Sequence, residues 1–254
     1  METESLKVYD QVIIRVFESV FVANADHLPF SKADIERAIR ELGLQLSTRN
    51  VPDIVYTYRS GRSDLPEFIM QYGSWAIEGK GKSKYAFRKL ACSPYFDIPS
   101  DIEITKIPDA TPQIVLKYQS SDEQAILARI RHNRLLDIFT SLTTYHLQGH
   151  FRTAVAETGQ IEIDDLYIGL DTDGNGFILP IEAKVDSAKD QLGVIQVTQM
   201  VRFAKAQFPD LMVRPIGLKL LSDGSYMFLE FTAVADPNQI ATKRYKRYLL
   251  VQES

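Results

Sequence analysis

Two stretches of strict alternation joined by a short polar turn constrain this chain more than anything else in it. Ile161-Glu162-Ile163-Asp164-Asp165 is followed, a strand's length later, by Pro180-Ile181-Glu182-Ala183-Lys184. Side chains in a strand alternate faces with period two. Glu162 and Asp164 therefore share one face, with Ile161 and Ile163 behind them. Glu182 and Lys184 likewise share a face, over Ile181 and Ala183. Asp171-Thr172-Asp173-Gly174-Asn175-Gly176 supplies turn residues between the two runs, which predicts a hairpin. Pairing it brings three carboxylates and one ammonium onto one patch.

That patch has a definite chemistry. Carboxylates are hard oxygen ligands suited to Mg²⁺, which keeps several waters and takes one or two protein carboxylates. Asp164 and Glu182 are the predicted ligands, and Glu162 can support a second ion. Lys184 is a point charge that can orient an attacking water or stabilise charge at phosphorus. Together they form the set that metal-dependent phosphodiester hydrolysis calls for. A bulge in the first strand would put Asp165 in the place of Asp164, and the sequence leaves that choice open. The same residues match the calcium-loop pattern D-x-[DN]-x-[DN]-G-x₅-E, running from Asp171 to Glu182. An EF-hand needs a helix on each side, whereas Gln160 to Leu170 alternates as a strand does. Residues 171–176 are therefore read as a hairpin turn.

These residues resemble the PD-(D/E)xK nuclease superfamily, to which many restriction endonucleases belong. Its pattern is an acid on one strand and acid-x-Lys on the next, here Asp164 and Glu182-Ala183-Lys184. Ile163 stands where the superfamily's name has proline. Phe139 to Arg152 (FTSLTTYHLQGHFR), Gly159 to Gly169 (GQIEIDDLYIG) and Asp190 to Gln199 (DQLGVIQVTQ) resemble a subgroup of restriction-type endonucleases with an amino-terminal winged-helix domain. The resemblance implies an α/β (α+β) restriction-endonuclease-like core, with a mixed central sheet flanked by helices. It implies a Mg²⁺-dependent, sequence-specific endonuclease for double-stranded DNA, acting as a homodimer. It also implies a glutamine near the site, on the helix after the acid-x-Lys strand. Gln196 fits that place better than Gln199.

The amino-terminal third reads independently. Val8, Val12, Ile13, Val16, Phe17 and Val20 have helical spacing from Ser5 to about Val22. Pro29-Phe30-Ser31 breaks the chain. Ser31 with Asp34 is a capping-box-like start for a helix to about Leu42, ended by Gly43. Ser47-Thr48-Arg49-Asn50 opens a third helix, with Pro52 in its first turn, to Arg59 or Ser60. A hairpin follows: Gly73 to Glu78, a Gly-Lys-Gly-Lys turn, then Tyr85 to Arg88. Short helices followed by a basic hairpin form the layout of a winged helix-turn-helix. The third helix would present Arg49, Asn50, Tyr56 and Arg59 to the major groove, and Lys80, Lys82 and Lys84 would meet phosphate.

The predicted domains are therefore a DNA-binding domain over 1–91, an extended connector over 92–121 and a nuclease domain over 122–254. Pro94, Pro99, Pro108 and Pro112 mark the connector, within which short strands such as Ile102 to Ile107 are expected. The spacing predicts one long helix from Asp122 to about Gln148, a helix from Asp190 to Phe208, and closing strands at 211–220 and 226–233. His150 reads as a structural histidine or as a residue supporting the site.

Composition bounds the rest. No apolar run reaches the roughly 18 residues that a spanning helix needs. Met1-Glu2-Thr3-Glu4 lacks the order of a signal peptide, and the single Cys92 forms no internal disulfide. A cytoplasmic location away from membranes is expected. The net charge of −4 does not advertise nucleic-acid binding, but basic residues cluster at 59–62, 80–89, 129–134 and 243–247. The rival reading is a non-catalytic winged-helix regulator whose carboxy-terminal domain senses a ligand or calcium.

Overall fold

Apolar side chains at helical spacing form the first element, α1 (Glu2–Val20), which buries Val12, Ile13, Val16 and Phe17. The computed structural model describes residues 2–47, 50–118, 123–155, 159–185 and 191–252. The fold is mixed α and β, and the chain divides into two units: Met1–Tyr95 with Thr153–Ile161, and Phe96–Arg152 with Glu162–Ser254.

In the first unit α1 is followed by β1 (His27–Ser31), α2 (Lys32–Glu41), α3 (Val51–Arg59), α4 (Glu67–Met70), β2 (Ser74–Gly79) and β3 (Lys84–Leu90). Asp34 caps α2, its Oδ2 accepting from Ser31 N at 2.8 Å and Ser31 Oγ at 2.7 Å. Pro52 sits in the first turn of α3, where a missing N–H costs nothing. The expected hairpin forms, with Ile77 opposite Phe87. The chain break expected at Pro29 to Ser31 is instead part of β1, an edge strand that pairs antiparallel with β3 in a sheet ordered β1-β3-β2. Pro29 is tolerated there because an edge strand leaves some N–H groups without a ladder partner. Helices and sheet enclose one core around Phe17, Ile35, Ile54, Trp75 and Phe87. Each such burial contributes roughly 1.5–3 kcal/mol.

The second unit begins inside the stretch expected as a connector. That stretch supplies β4 (Ile104–Pro108), parallel to the last strand, and α5 (Gln113–Tyr118). The single long helix expected from Asp122 to Gln148 is two short ones, α6 (Glu123–His132) and α7 (Leu135–Thr140), followed by a strand. Arg134 and Ser141 take left-handed φ values of 49° and 56° and end the helices. Thr143-Thr144-Tyr145 then favours extended backbone, and β5 (Thr143–Val155) begins. β6 (Gly159–Leu170), β7 (Gly176–Lys184), α8 (Val194–Gln207), β8 (Met212–Val213), β9 (Ile216–Leu220), β10 (Tyr226–Phe231) and β11 (Thr242–Val251) complete the chain.

Among the described residues these strands form one mixed sheet of eight, ordered β4-β11-β10-β9-β7-β6-β5, with β8 beside β7. β5, β6 and β7 run as a meander. The connection from β7 through α8 then returns to β9, which lies parallel to β7. On one face α6 and α7 cover Tyr167, Leu179, Ile181, Ala183 and Phe228. α8 buries Val197, Met200, Val201 and Phe203, with Phe203 4.9 Å from the ring of Phe151 on β5.

No helix among the described residues is long and apolar enough to cross a membrane.

Candidate functional site

The site follows from the register of the central strands. β6 and β7 pair antiparallel from Leu170 opposite Gly176 to Asp165 opposite Ile181. Asp164 and Glu182 are one step beyond that last pair. There the Ala183 N–H donates to Asp164 Oδ2 at 2.7 Å. On its other side β7 is parallel to β9, with Glu182 beside Gly217 and Lys184 beside Lys219.

Glu182 and Lys184, two apart on a strand, share a face as predicted. Lys184 Nζ donates to Glu182 Oε1 at 2.8 Å, and Gln196 Nε2 from α8 donates to the same oxygen at 2.7 Å. Glu182 is 4% exposed and Lys184 8%. A buried ion pair persists only where geometry is good and further hydrogen bonds assist, and Gln196 supplies one. The carboxylate can only accept, which fixes the Gln196 amide with its nitrogen toward Glu182. Gln196 Oε1 is then buried with no hydrogen-bond partner among the described residues.

Asp164 and Asp165 are separated by the alternation of the strand. Asp165 lies on the opposite face, fully buried, bonded to Arg131 Nη2 at 3.1 Å and His146 Nε2 at 2.6 Å. Burial, then the charge of Asp165, push the neighbouring Tyr167 phenol far above its ordinary range. Glu162 shares the face of Asp164, but its Oε1 is held by Arg152 Nε at 2.9 Å and Nη2 at 2.7 Å. The structure thus brings together Asp164, Ala183, Glu182, Lys184 and Gln196, and leaves Glu162 in a more exposed ion pair. Among the described residues no group of three or more His, Cys, Asp or Glu is placed to hold a metal. The candidate set has two carboxylates, a number that suffices for Mg²⁺.

The Asp171 turn is closed by its own bonds. Asp171 Oδ1 accepts from Asp173 N at 3.0 Å and Asn175 N at 2.8 Å, and Oδ2 from Asn175 Nδ2 at 2.8 Å. β6 and β7, not helices, flank it. Glu182 Oε1 is engaged by Lys184 and Gln196, away from that loop's pattern.

The residues predicted to face DNA differ in their surroundings. Arg49 lies outside the described residues. Asn50 caps α3, and its side chain hydrogen-bonds Tyr9, whose hydroxyl donates to Asp53 at 2.8 Å. Tyr56 is exposed, with the Arg62 guanidinium 4.7 Å over its ring, and Arg59 ends α3 half-buried. Lys80 is paired with the buried Glu78 at 2.9 Å, while Lys82 and Lys84 are exposed. Two of the basic clusters are largely taken up internally: Arg129 pairs with Asp109, Arg131 with Asp165, Arg244 with Glu230 and Arg247 with Asp223.

Compared with protein-family models, with curated proteins and with solved structures, the chain matches none.

Sequence reasoning did not single out Lys219, His146 or the Ala183 amide. Strand register alone places the first beside Lys184, and long-range pairing alone joins the others to the two aspartates. Neither leaves a motif.

Proposed function

We propose that this chain is a Mg²⁺-dependent endonuclease for double-stranded DNA, of the PD-(D/E)xK restriction type. The observation that carries the reading is the convergence of Asp164, from the middle of β6, with Glu182 and Lys184 at the end of β7, with Gln196 clamping the glutamate. Asp164 and Glu182 would hold the ion. The residues fit it: two carboxylates lie side by side, and the orphaned, buried Gln196 Oε1 suits a hydrated cation, whose water shell consists of donors. Bound Mg²⁺ supplies Lewis-acid polarisation of a phosphoryl oxygen and acidifies water.

The protein's own groups do the positioning. The Ala183 amide fixes the Asp164 carboxylate, and Gln196 and Lys184 fix that of Glu182. The Lys184 ammonium, held beside Glu182, would orient the attacking water and meet negative charge at phosphorus. Burial of this pair strengthens that field relative to water.

The first unit supports duplex binding as a winged helix. Its order is helix, strand, two helices, a short helix and a hairpin, with exposed Tyr56, Lys82 and Lys84 and the half-buried Arg59 on α3 and the hairpin turn. A twofold homodimer, one active site per strand, would suit palindromic DNA.

The test is incubation of the purified chain with unmethylated duplex DNA of phage length, with Mg²⁺ or with EDTA, beside Lys184→Ala. Discrete Mg²⁺-dependent fragments, lost in the variant while a mobility shift persists, are expected. Cleavage that survives in Lys184→Ala overturns the assignment of the lysine. Intact DNA with wild-type protein across methylated and unmethylated substrates overturns the nuclease. Light scattering on the DNA complex reports whether two copies bind.

A further inference from the structure

On the sheet face opposite the candidate metal site, a second cluster surrounds Asp165. This carboxylate is completely buried, yet both its oxygens are engaged: Oδ1 with His146 Nε2 at 2.6 Å and Oδ2 with Arg131 Nη2 at 3.1 Å. Arg131 Nε also donates to the Tyr167 hydroxyl at 3.1 Å. Beside the cluster is a cavity of about 90 Å³ lined by Arg131, Arg134, Asp137, Thr144, His146 and Tyr167, among others. β5 comes close here: a Cβ on Gly149 would lie 3.2 Å from Asp165 Oδ1 and 3.7 Å from His146 Nε2. The next residue, His150, takes a left-handed φ of 48°, a cost borne only where the surroundings over-determine it.

The donors and acceptors around this cavity are out of balance. Both of its carboxylates are already satisfied: Asp165 as above, and Asp137 by the Thr144 N–H at 2.6 Å and by Arg134 Nε. The donors are not. Among the described residues Arg131 uses Nε and one Nη, and Arg134 uses Nε. That leaves one Nη of Arg131, both Nη groups of Arg134 and the Thr144 hydroxyl without a protein acceptor. Asp165 also accepts from Nε2 of His146, and the remaining ring nitrogen, Nδ1, donates to an anion only in the imidazolium form. Arg131 and Arg134 keep 35% and 61% of their side chains exposed at the recess, and their remaining N–H groups with the Thr144 hydroxyl form an oxyanion-recognition set open to solvent. A volume of about 90 Å³ suits one small tetrahedral group. A recess of that size accommodates the oxyanion itself and leaves any substituent at its open mouth.

We infer that the His146–Asp165–Arg131 cluster with Arg134 and Thr144 is a binding site for a terminal phosphate: inorganic phosphate or a phosphate monoester. Asp165 fixes His146 and Arg131 from behind, and Arg134 and Thr144 close on the oxyanion. The site does not depend on the nuclease reading, because it uses none of Asp164, Glu182, Lys184 or Gln196.

The test is calorimetric titration of the full chain with inorganic phosphate, in Mg²⁺-free buffer at constant ionic strength. Arg134→Asn, His146→Gln and Lys184→Ala are titrated beside it. Asn is chosen because it tolerates the left-handed backbone of Arg134, so this variant is expected to keep the wild-type unfolding midpoint without phosphate. Saturable one-to-one binding, weakened by about tenfold or more in Arg134→Asn and His146→Gln and unchanged in Lys184→Ala, is expected. No saturable binding to the wild type, or equal binding in the Arg134 and His146 variants, overturns the site. Loss in Lys184→Ala alone also overturns it, because it moves the phosphate to the other face. Duplexes with a 5′-phosphate or a 5′-hydroxyl then separate a nucleic-acid end from free phosphate. Competition by the phosphorylated duplex alone assigns the site to an end, and competition by neither assigns it to the free anion.

Discussion

Asp164 and Asp165 are adjacent in β6 and face opposite sides of the sheet. Asp164 Oδ2 accepts the Ala183 N–H at 2.7 Å, while Asp165 Oδ1 holds His146 Nε2 at 2.6 Å. Replacing each by asparagine should therefore have different consequences. Asp164→Asn is expected to abolish Mg²⁺-dependent cleavage with a stability change within about 1 kcal/mol. Asp165→Asn removes the buried charge that partners Arg131 and is expected to cost roughly 3–5 kcal/mol. Urea unfolding of both variants, alongside the cleavage assay, checks the division, and equal stability losses would refute it.

Lys184 and Glu182 form a buried pair, so removing one partner leaves the other charge uncompensated. Lys184→Met is expected to lower cleavage by about 10²–10³ and to destabilise by roughly 3 kcal/mol. The double variant Lys184→Met with Glu182→Gln should be more stable than Lys184→Met alone, since no buried charge remains. A double-mutant cycle in urea measures the coupling, and a purely additive result contradicts the buried pair.

Glu230 ties three parts of the second unit together. Its carboxylate accepts from Arg214 Nε at 2.9 Å and Nη2 at 2.8 Å, and from Arg244 Nε at 2.7 Å. Arg214 Nη1 reaches Thr140 O at 3.0 Å. Burial alone would raise this carboxyl's pKa, but Arg214 and Arg244 outweigh it and hold it below the usual range. Glu230→Gln is expected to cost roughly 3–5 kcal/mol, read as a lower urea midpoint with unchanged secondary structure at neutral pH.

The acid limb of the stability curve should carry the mark of Asp109. Burial pushes this carboxyl up, but bonds from the Thr111 side chain and backbone, then from Asn133 and Arg129, bring it down to about 2. A folded pKa below the unfolded value of 3.8 means that the contribution is present above about pH 4 and is lost as pH falls through 2. Asp109→Asn should flatten the fall in stability between those values. Thermal melts at pH 5, 4 and 3 test the sign, and a variant whose stability falls as steeply as the wild type's disproves it.

Gly217 stands beside Glu182 in the β7–β9 register. A Cβ there would lie 2.8 Å from Leu192 Cδ1 and 2.9 Å from Phe231 Cε2. Gly217→Ala is expected to cost about 1–3 kcal/mol by overpacking and to reduce cleavage by shifting β9 against β7. Unfolding in urea and the cleavage assay on the same preparation check both effects.

Much of the local structure was legible in the chain itself. Period-two alternation located β6 and β7, and the residues of the turn between them, Asp171 to Gly176, joined the strands into a hairpin. Ser31 with Asp34 marked the start of α2, and Pro52 the first turn of α3. These signals are local, and the atoms that satisfy them are a few residues apart. Alternation also placed Glu182 and Lys184 on one face, because two residues on one strand need no partner to share a side.

What the sequence could not supply was every relationship made across strands. The helix read from Asp122 to Gln148 shares its apolar spacing with a broken helix and a strand, and only pairing with β6 draws residues 143–148 into the sheet. β1 is too short and too proline-marked to read as a strand until β3 provides hydrogen-bond partners, and the short strand legible at 102–107 gains its place in a sheet only from β11. Asp164 and Asp165 have identical side chains, and only the position of β7, with its Ala183 amide on one side and His146 across the other, gives them different environments. Arg131 and Arg244 read as surface charge because their partners, Asp165 and Glu230, are distant in sequence. The chain by itself determined which residues can share a face of one element. The tertiary structure decided which faces meet, because burial and pairing energy depend on contacts that close only when distant segments come together.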